Sequence, residues 1–192
     1  MTKELEIEFK NLLTEDEYVT LTALFGFSPE DAQTQINHYF DTVDFRLREQ
    51  KSALRIRQKD NAFECTLKTP AENGYYEITD ALPRQQAEDI INGRNFAAPE
   101  VSEVLKEQGI LPGELVLLGS LTTHRIEFTY DGGLLVLDRS QYHGTEDFEV
   151  EFEVTDFNDG KEKFRKLLED NKIPVRRTDK KIARFMAAAK KR

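Results

Sequence analysis

The chain has a single cysteine, Cys65, so no disulfide can close within it. Its most apolar stretches, such as residues 115–118 and 134–137, fall far short of the roughly 20 residues that a membrane-spanning helix needs. The opening residues MTKELEIE hold no apolar run of signal-peptide type. Together these absences predict a cytoplasmic protein with no membrane partner. Also missing are the GxxxxGK[ST] loop, the GxGxxG turn, the HExxH helix and the GxSxG elbow, which sets aside the common nucleotide-loop, dinucleotide, zinc-protease and serine-hydrolase designs. His38, His124 and His143 are scattered, and with Cys65 they make no zinc-ligand spacing. No Pro/Ser-rich linker or short repeat divides the chain, so a single domain over residues 1–192 is expected.

What is present suits a folded domain. The 192 residues are 39% hydrophobic and 33% charged, enough for a sizeable core and too polar for a bilayer. Lys plus Arg number 27 against 36 Asp plus Glu, a net charge of -9. That balance argues against duplex nucleic acid and anionic lipid as partners, while an anionic ligand remains open if the cations are segregated.

Residues 4–10 alternate charged and apolar side chains at period two, as a strand with two unlike faces does. Thr14 and Glu17 have the spacing of a capping box ahead of a helix over 18–25. Strand patterns recur at 35–41, 52–59, 62–69 and 75–79, with Asp60-Asn61 as a tight turn. Helices are expected at 85–92 and 99–108, stopped by Gly93 and Gly109. Further strands follow at 115–127, 134–138 and 148–155, with a sharp turn at Asp131-Gly132-Gly133. Helices at 161–171 and 179–190 close the chain, the last capped by Thr178. Two groups of strands separated by helices, without regular alternation, predict an α+β fold with a largely antiparallel sheet or barrel.

Charge is sorted by strand. Glu4, Glu6 and Glu8 share one face, as do Glu149, Glu151 and Glu153, and Arg55, Arg57 and Lys59 do the same with opposite sign. Like charges at neighbouring same-face positions repel, so the sorting needs a cause. Either the charged faces are wet and Ile7, Phe9, Leu54, Ile56, Val150 and Phe152 form the core, or the charged faces line a barrel whose apolar side is covered by helices. Periodicity alone does not separate the two. In the second case metal ions and an anionic ligand would neutralise the charges. Carboxylate clusters suit hard cations such as Mg2+ or Mn2+, and arginine rows suit phosphate oxygens.

Glu6-Ile7-Glu8-Phe9-Lys10 resembles the N-terminal ExExK signature of the CYTH, or triphosphate tunnel metalloenzyme, superfamily, which includes class IV adenylate cyclases, thiamine triphosphatases and inorganic triphosphatases. Further matches follow in order: Tyr39-Phe40-Asp41-Thr42, the basic Leu54-Arg55-Ile56-Arg57, Thr66-Leu67-Lys68, Arg125, Asp138, Glu149-Val150-Glu151 and Lys181-Ile182-Ala183-Arg184. Glu4 and Glu153 extend the two acidic rows beyond the pattern, which leaves two registers open for the metal ligands. The resemblance implies an antiparallel eight-stranded β-barrel, a tunnel with a charged interior and surrounding helices, within one CYTH-like domain. It also implies divalent-metal-dependent hydrolysis of a triphosphate-containing small molecule, with inorganic triphosphate favoured and Mg2+ or Mn2+ as cofactor. Lys10, Arg55, Arg57, Lys68, Arg125, Lys181 and Arg184 would grip phosphate. Glu6, Glu8, Glu149, Glu151 and Glu153 would hold metal, assisted by Asp138 or Glu77, with Glu6, Glu8, Lys10 and Lys68 as the catalytic group. Two alternatives are an adenylate cyclase of the same fold and a non-catalytic polyphosphate or nucleotide-binding module.

Overall fold

A computed structural model describes residues 3–176 and 178–189. Eight strands run through it: β1 Lys3–Leu13, β2 Gln33–Thr42, β3 Ala53–Lys59, β4 Ala62–Ala71, β5 Gly74–Leu82, β6 Leu115–Tyr130, β7 Gly133–Tyr142 and β8 Thr145–Val154. They close into an antiparallel barrel in the hydrogen-bonded order β1-β5-β4-β3-β2-β6-β7-β8. The helices among the described residues are α1 Glu15–Leu24, α2 Arg46–Glu49, α3 Arg84–Ile91, α4 Pro99–Glu107, α5 Phe157–Asp170 and α6 Lys181–Ala189. The fold is α+β, as the sequence predicts. None of the described helices is long and apolar enough to cross a membrane.

Local chemistry accounts for most boundaries. The capping box forms, with the Glu17 amide donating to Thr14 Oγ1 at 3.2 Å and the Thr14 amide to Glu17 Oε2 at 2.8 Å. Between β6 and β7, Asp131 and Gly132 both adopt positive φ, 43° and 82°, as a two-residue hairpin turn requires. A Cβ on the following Gly133 would lie 2.5 Å from the Glu153 carbonyl oxygen, so only glycine lets β7 lie so close to β8 there.

Contacts gather into two compact units, Met1–Leu5 with Gln35–Leu121 and Glu6–Thr34 with Thr122–Arg192. In the first, Leu54, Ile56, Cys65, Leu67 and Ile78 are buried with Ala87 and Ile90 of α3 and Val101 and Leu105 of α4. In the second, Leu135, Leu137, Val150 and Phe152 pack with Tyr18 and Leu21 of α1 and Phe164, Leu167 and Leu168 of α5. Helices therefore cover the apolar faces in both units. The charged faces opposite are not solvated: the side chains of Arg55, Arg125 and Glu149 are 18%, 9% and 1% exposed. This decides between the two readings of the charge sorting in favour of the barrel interior.

Three elements differ from expectation. Helix α5 begins at Phe157 because the Asp156 carboxylate accepts the Asp159 amide at 2.8 Å, an N-cap that Gly160 inside the first turn had obscured. Thr178 does not cap α6. The Lys180 carbonyl accepts the Ala183 and Arg184 amides, so the helix starts at Lys181, while Thr178 Oγ1 receives the Arg184 side chain. The expected end of that helix at Lys190 lies outside the described residues. The single turn α2 is too short to leave a periodic signal. It forms because the buried Asp41 carboxylate accepts the Leu47 and Arg48 amides at 2.9 and 3.1 Å.

Candidate active site

The second unit assembles most of the charged residues singled out above, and strand register decides how. Between β7 and β8, Asp138 lies opposite Glu149; between β6 and β7, Arg125 lies opposite Asp138; between β1 and β8, Lys10 lies opposite Glu151 and Glu8 opposite Glu153. Two carboxylate groups result. Asp138, Glu149 and Glu151 are buried, with one oxygen from each within 4.8 Å of the others, and Glu6, Glu8 and Glu153 form a second trio by the same measure. Glu4 is exposed and belongs to neither group.

The first group is compensated by cations. Arg125 grips Asp138 with Nε to Oδ1 at 2.8 Å and Nη2 to Oδ2 at 2.6 Å, and reaches Glu151 at 3.0 Å. Lys181 pairs with Asp138 and, at 2.7 Å, with Glu149. Arg184 donates to Glu149 through Nη2. Burial alone would raise the Asp138 and Glu151 carboxyls, but Arg125 and Lys181 outweigh it and hold both below the carboxylate range. Glu149 goes the other way: burial, with the Glu151 charge beside it, pushes it up to about 7 against the pull of Lys181.

The second trio lies beside Lys10. Lys10 Nζ sits 2.8 Å from Glu8 Oε1 and is kept protonated by Glu8 and Glu151 despite burial. Glu153, directly across from Glu8, is pushed up to about 7 by burial and by Glu6. Oxygen-only donors held together against their own repulsion fit a hard divalent cation, and both carboxylate groups offer such donors. The sign of the pH effect follows. A carboxyl raised from 4.5 to about 7 contributes stability below about pH 4.5 and loses it as pH rises through 7, so ionisation here is costly until a cation arrives. Binding must expel that proton. Mg2+ or Mn2+ affinity is therefore expected to rise about tenfold from pH 6 to pH 8, with proton release seen by calorimetry in two buffers of different ionisation enthalpy. A flat affinity would remove Glu153 from the ligand set.

The first unit carries the basic row. Arg57 lies across from Asn37, and its Nε donates to Asn37 Oδ1 at 3.2 Å. Lys68 lies across from Glu77, with Nζ 2.8 Å from Oε1, and Arg55 approaches the same oxygen at 4.0 Å. Burial raises Glu77, but the charges of Lys68 and Arg55 prevail and hold its carboxyl below the ordinary value. Glu77 belongs to neither carboxylate group, and Lys68 and Arg55 are its charged neighbours.

Sequence reasoning missed several supporting residues. Asp147 continues the 149–151–153 row backward by two and could have been found by that period; it pairs with Arg184 at 2.8 Å and accepts the Tyr142 hydroxyl. Asn11 and Arg176 left no pattern. The Arg176 amide donates to Asn11 Oδ1 at 2.6 Å, and its guanidinium forks onto Glu17 at 2.7 and 2.9 Å, which fastens the segment leading to α6 onto β1 and α1. Cys65 is buried and its thiol is pushed far up by that burial, which makes it a poor nucleophile.

The family described as the CYTH domain matches residues 4–186, a span that runs through both compact units. A Bacillus subtilis (strain 168) protein named "Putative triphosphatase YjbK" is 39% identical over 193 residues, covering 100% of this chain and 99% of its own. A solved Bacillus halodurans structure, described as "a putative adenylate cyclase", superposes with a TM-score of 0.93 at 38% identity, covering 96% of this chain and 99% of that one. A solved Hippeastrum structure, described as a "putative adenylyl cyclase" with a dominant triphosphatase activity, shares the fold, with a TM-score of 0.77 at 24% identity over 95% of this chain and 96% of that one.

Proposed function

Because the chain belongs to the CYTH domain family, we propose that it is a divalent-metal-dependent hydrolase of triphosphate-containing small molecules, with inorganic triphosphate the favoured substrate and residues 1–192 acting as one catalytic domain. The observation that carries this is the Glu6, Glu8 and Glu153 trio beside Lys10, three carboxylates gathered within reach of one ion next to a cation on the same strand. The name of the Bacillus subtilis relative supports the same reaction.

Mg2+ or Mn2+ bound by the trio would polarise a phosphoryl oxygen and neutralise charge as the phosphorus–oxygen bond breaks. Lys10, fixed by Glu8, holds a positive charge next to that trio, and Arg125 and Lys181 keep Asp138 and Glu151 ionised and in place. Lys181 and Arg184 extend from α6 over Glu149 and supply donors for phosphate oxygens. On the first unit, Arg55, Arg57 and Lys68 offer a further basic row for phosphate, oriented by Asn37 and Glu77. Positioning and electrostatics of this kind suffice for phosphoryl transfer to water, and no protein nucleophile is invoked.

The test is a metal-by-substrate panel covering triphosphate, thiamine triphosphate, ATP and longer polyphosphate. Orthophosphate release from triphosphate with Mg2+ or Mn2+ is the expected result. Cyclic AMP and pyrophosphate from ATP would instead select a cyclase, the activity in the description of the Bacillus halodurans structure. Tight binding without turnover across the panel would leave a binding module.

A further inference from the structure

Arg184 uses every donor it has. A guanidinium offers five N–H groups. Here Nε donates to Asp147 Oδ2 at 2.8 Å, Nη1 to Thr178 Oγ1 at 2.9 Å and to the Asp179 carbonyl at 2.8 Å, and Nη2 to Asp147 Oδ1 at 3.4 Å and to Glu149 Oε2. Lys181, one turn earlier on α6, contacts Asp138 and Glu149 as a point charge and has no brace of this kind. Asp147 is itself fixed. It lies opposite Ser140 in the β7–β8 ladder and accepts the Tyr142 hydroxyl, while Tyr142 and His143 pack on Phe185 of α6 with ring centroids 6.1 and 4.5 Å away.

We propose that Asp147 is a positioning residue for Arg184, holding the guanidinium so that a single N–H, the one on Nη2 facing Glu149, is the group handed to a substrate phosphate. The inference rests on the triphosphate reading above and deepens it. Four of the five donors serve the loop before α6 and the Asp147 carboxylate, none of which an incoming anion displaces cheaply, because each sits on that neighbouring loop or in the bidentate fork. The donor to Glu149 differs. That carboxylate also pairs with Lys181, so it keeps a partner when Nη2 turns to phosphate. Asp147 thereby sets the direction of the phosphate contact without touching phosphate, and the preset fork lowers the ordering cost of making it.

A double-mutant cycle on triphosphate affinity, read by calorimetry, tests this. Asp147→Asn keeps the shape and removes the charge, and is expected to weaken triphosphate binding roughly tenfold. In an Arg184→Ala background the same change should cost nothing further, because its effect passes through Arg184. Losses that multiply in the double variant, or an Asp147→Asn protein that binds like wild type, would overturn the assignment. Circular dichroism and melting establish folding. Should Asp147→Asn not fold, Tyr142→Phe carries the same cycle, with about a threefold loss expected that disappears without Arg184. A wild-type protein that fails to bind triphosphate overturns this inference and the proposed function together, whereas binding with multiplying losses overturns this one alone.

Discussion

Replacing Arg125 by alanine is expected to lower folding stability by about 3–5 kcal/mol. The guanidinium is 9% exposed and satisfies both oxygens of Asp138 and one of Glu151. Removing it takes the guanidinium partner from Glu151 and leaves Asp138 with Lys181, while Glu149 keeps Lys181 and Arg184. The penalty is the desolvation of charges left without partners, not the energy of the lost bonds. It should therefore shrink in acid. Arg125 holds Asp138 and Glu151 below their ordinary values, so its contribution is present above the unfolded carboxylate pKa and disappears as pH falls through the folded values. Chemical denaturation of Arg125→Ala and wild type at pH 7 and at acid pH measures this directly. Equal stability at pH 7 would contradict the burial of the pair.

Glu153→Gln should act in the opposite sense on the fold and still remove function. Gln keeps the size and hydrogen-bonding edge of the side chain while removing one of three like charges. At pH 8 the wild-type carboxyl is ionised at a cost, since burial and Glu6 raise it to about 7, so the metal-free variant is expected to melt at or above the wild-type temperature. At pH 5 both proteins carry a neutral group there and the difference should vanish. Triphosphate turnover with Mg2+ or Mn2+ should fall by on the order of a hundredfold or more, as the loss of a cation ligand withdraws several kcal/mol of charge stabilisation from the reacting phosphate. The melting response to added cation should fall with it. A variant that keeps both cation response and turnover would place the metal elsewhere, with the Asp138, Glu149 and Glu151 group the alternative seat.

The two substitutions probe the two carboxylate groups one at a time, and the division into two groups was not legible in the sequence. Period-two alternation of acidic, basic and apolar residues determined the strands, the face each charge occupies and the apolar faces that α1, α3, α4 and α5 cover. The capping box and the Asp131-Gly132 turn likewise needed only neighbouring residues, because their hydrogen bonds and dihedrals are local. Period two is blind to a slip of two residues, since such a slip keeps every side chain on its face. Glu4 against Glu8, and Glu149 against Glu153, were therefore equivalent until the β1–β8 ladder put Glu8 across from Glu153 and Lys10 across from Glu151. The tertiary structure also decided that Arg125, Lys181 and Arg184 would meet at Asp138, Glu149 and Glu151. It did so through contacts such as Arg176 with Glu17, 159 residues apart, whose energies depend on distance in space and leave no periodic trace along the chain.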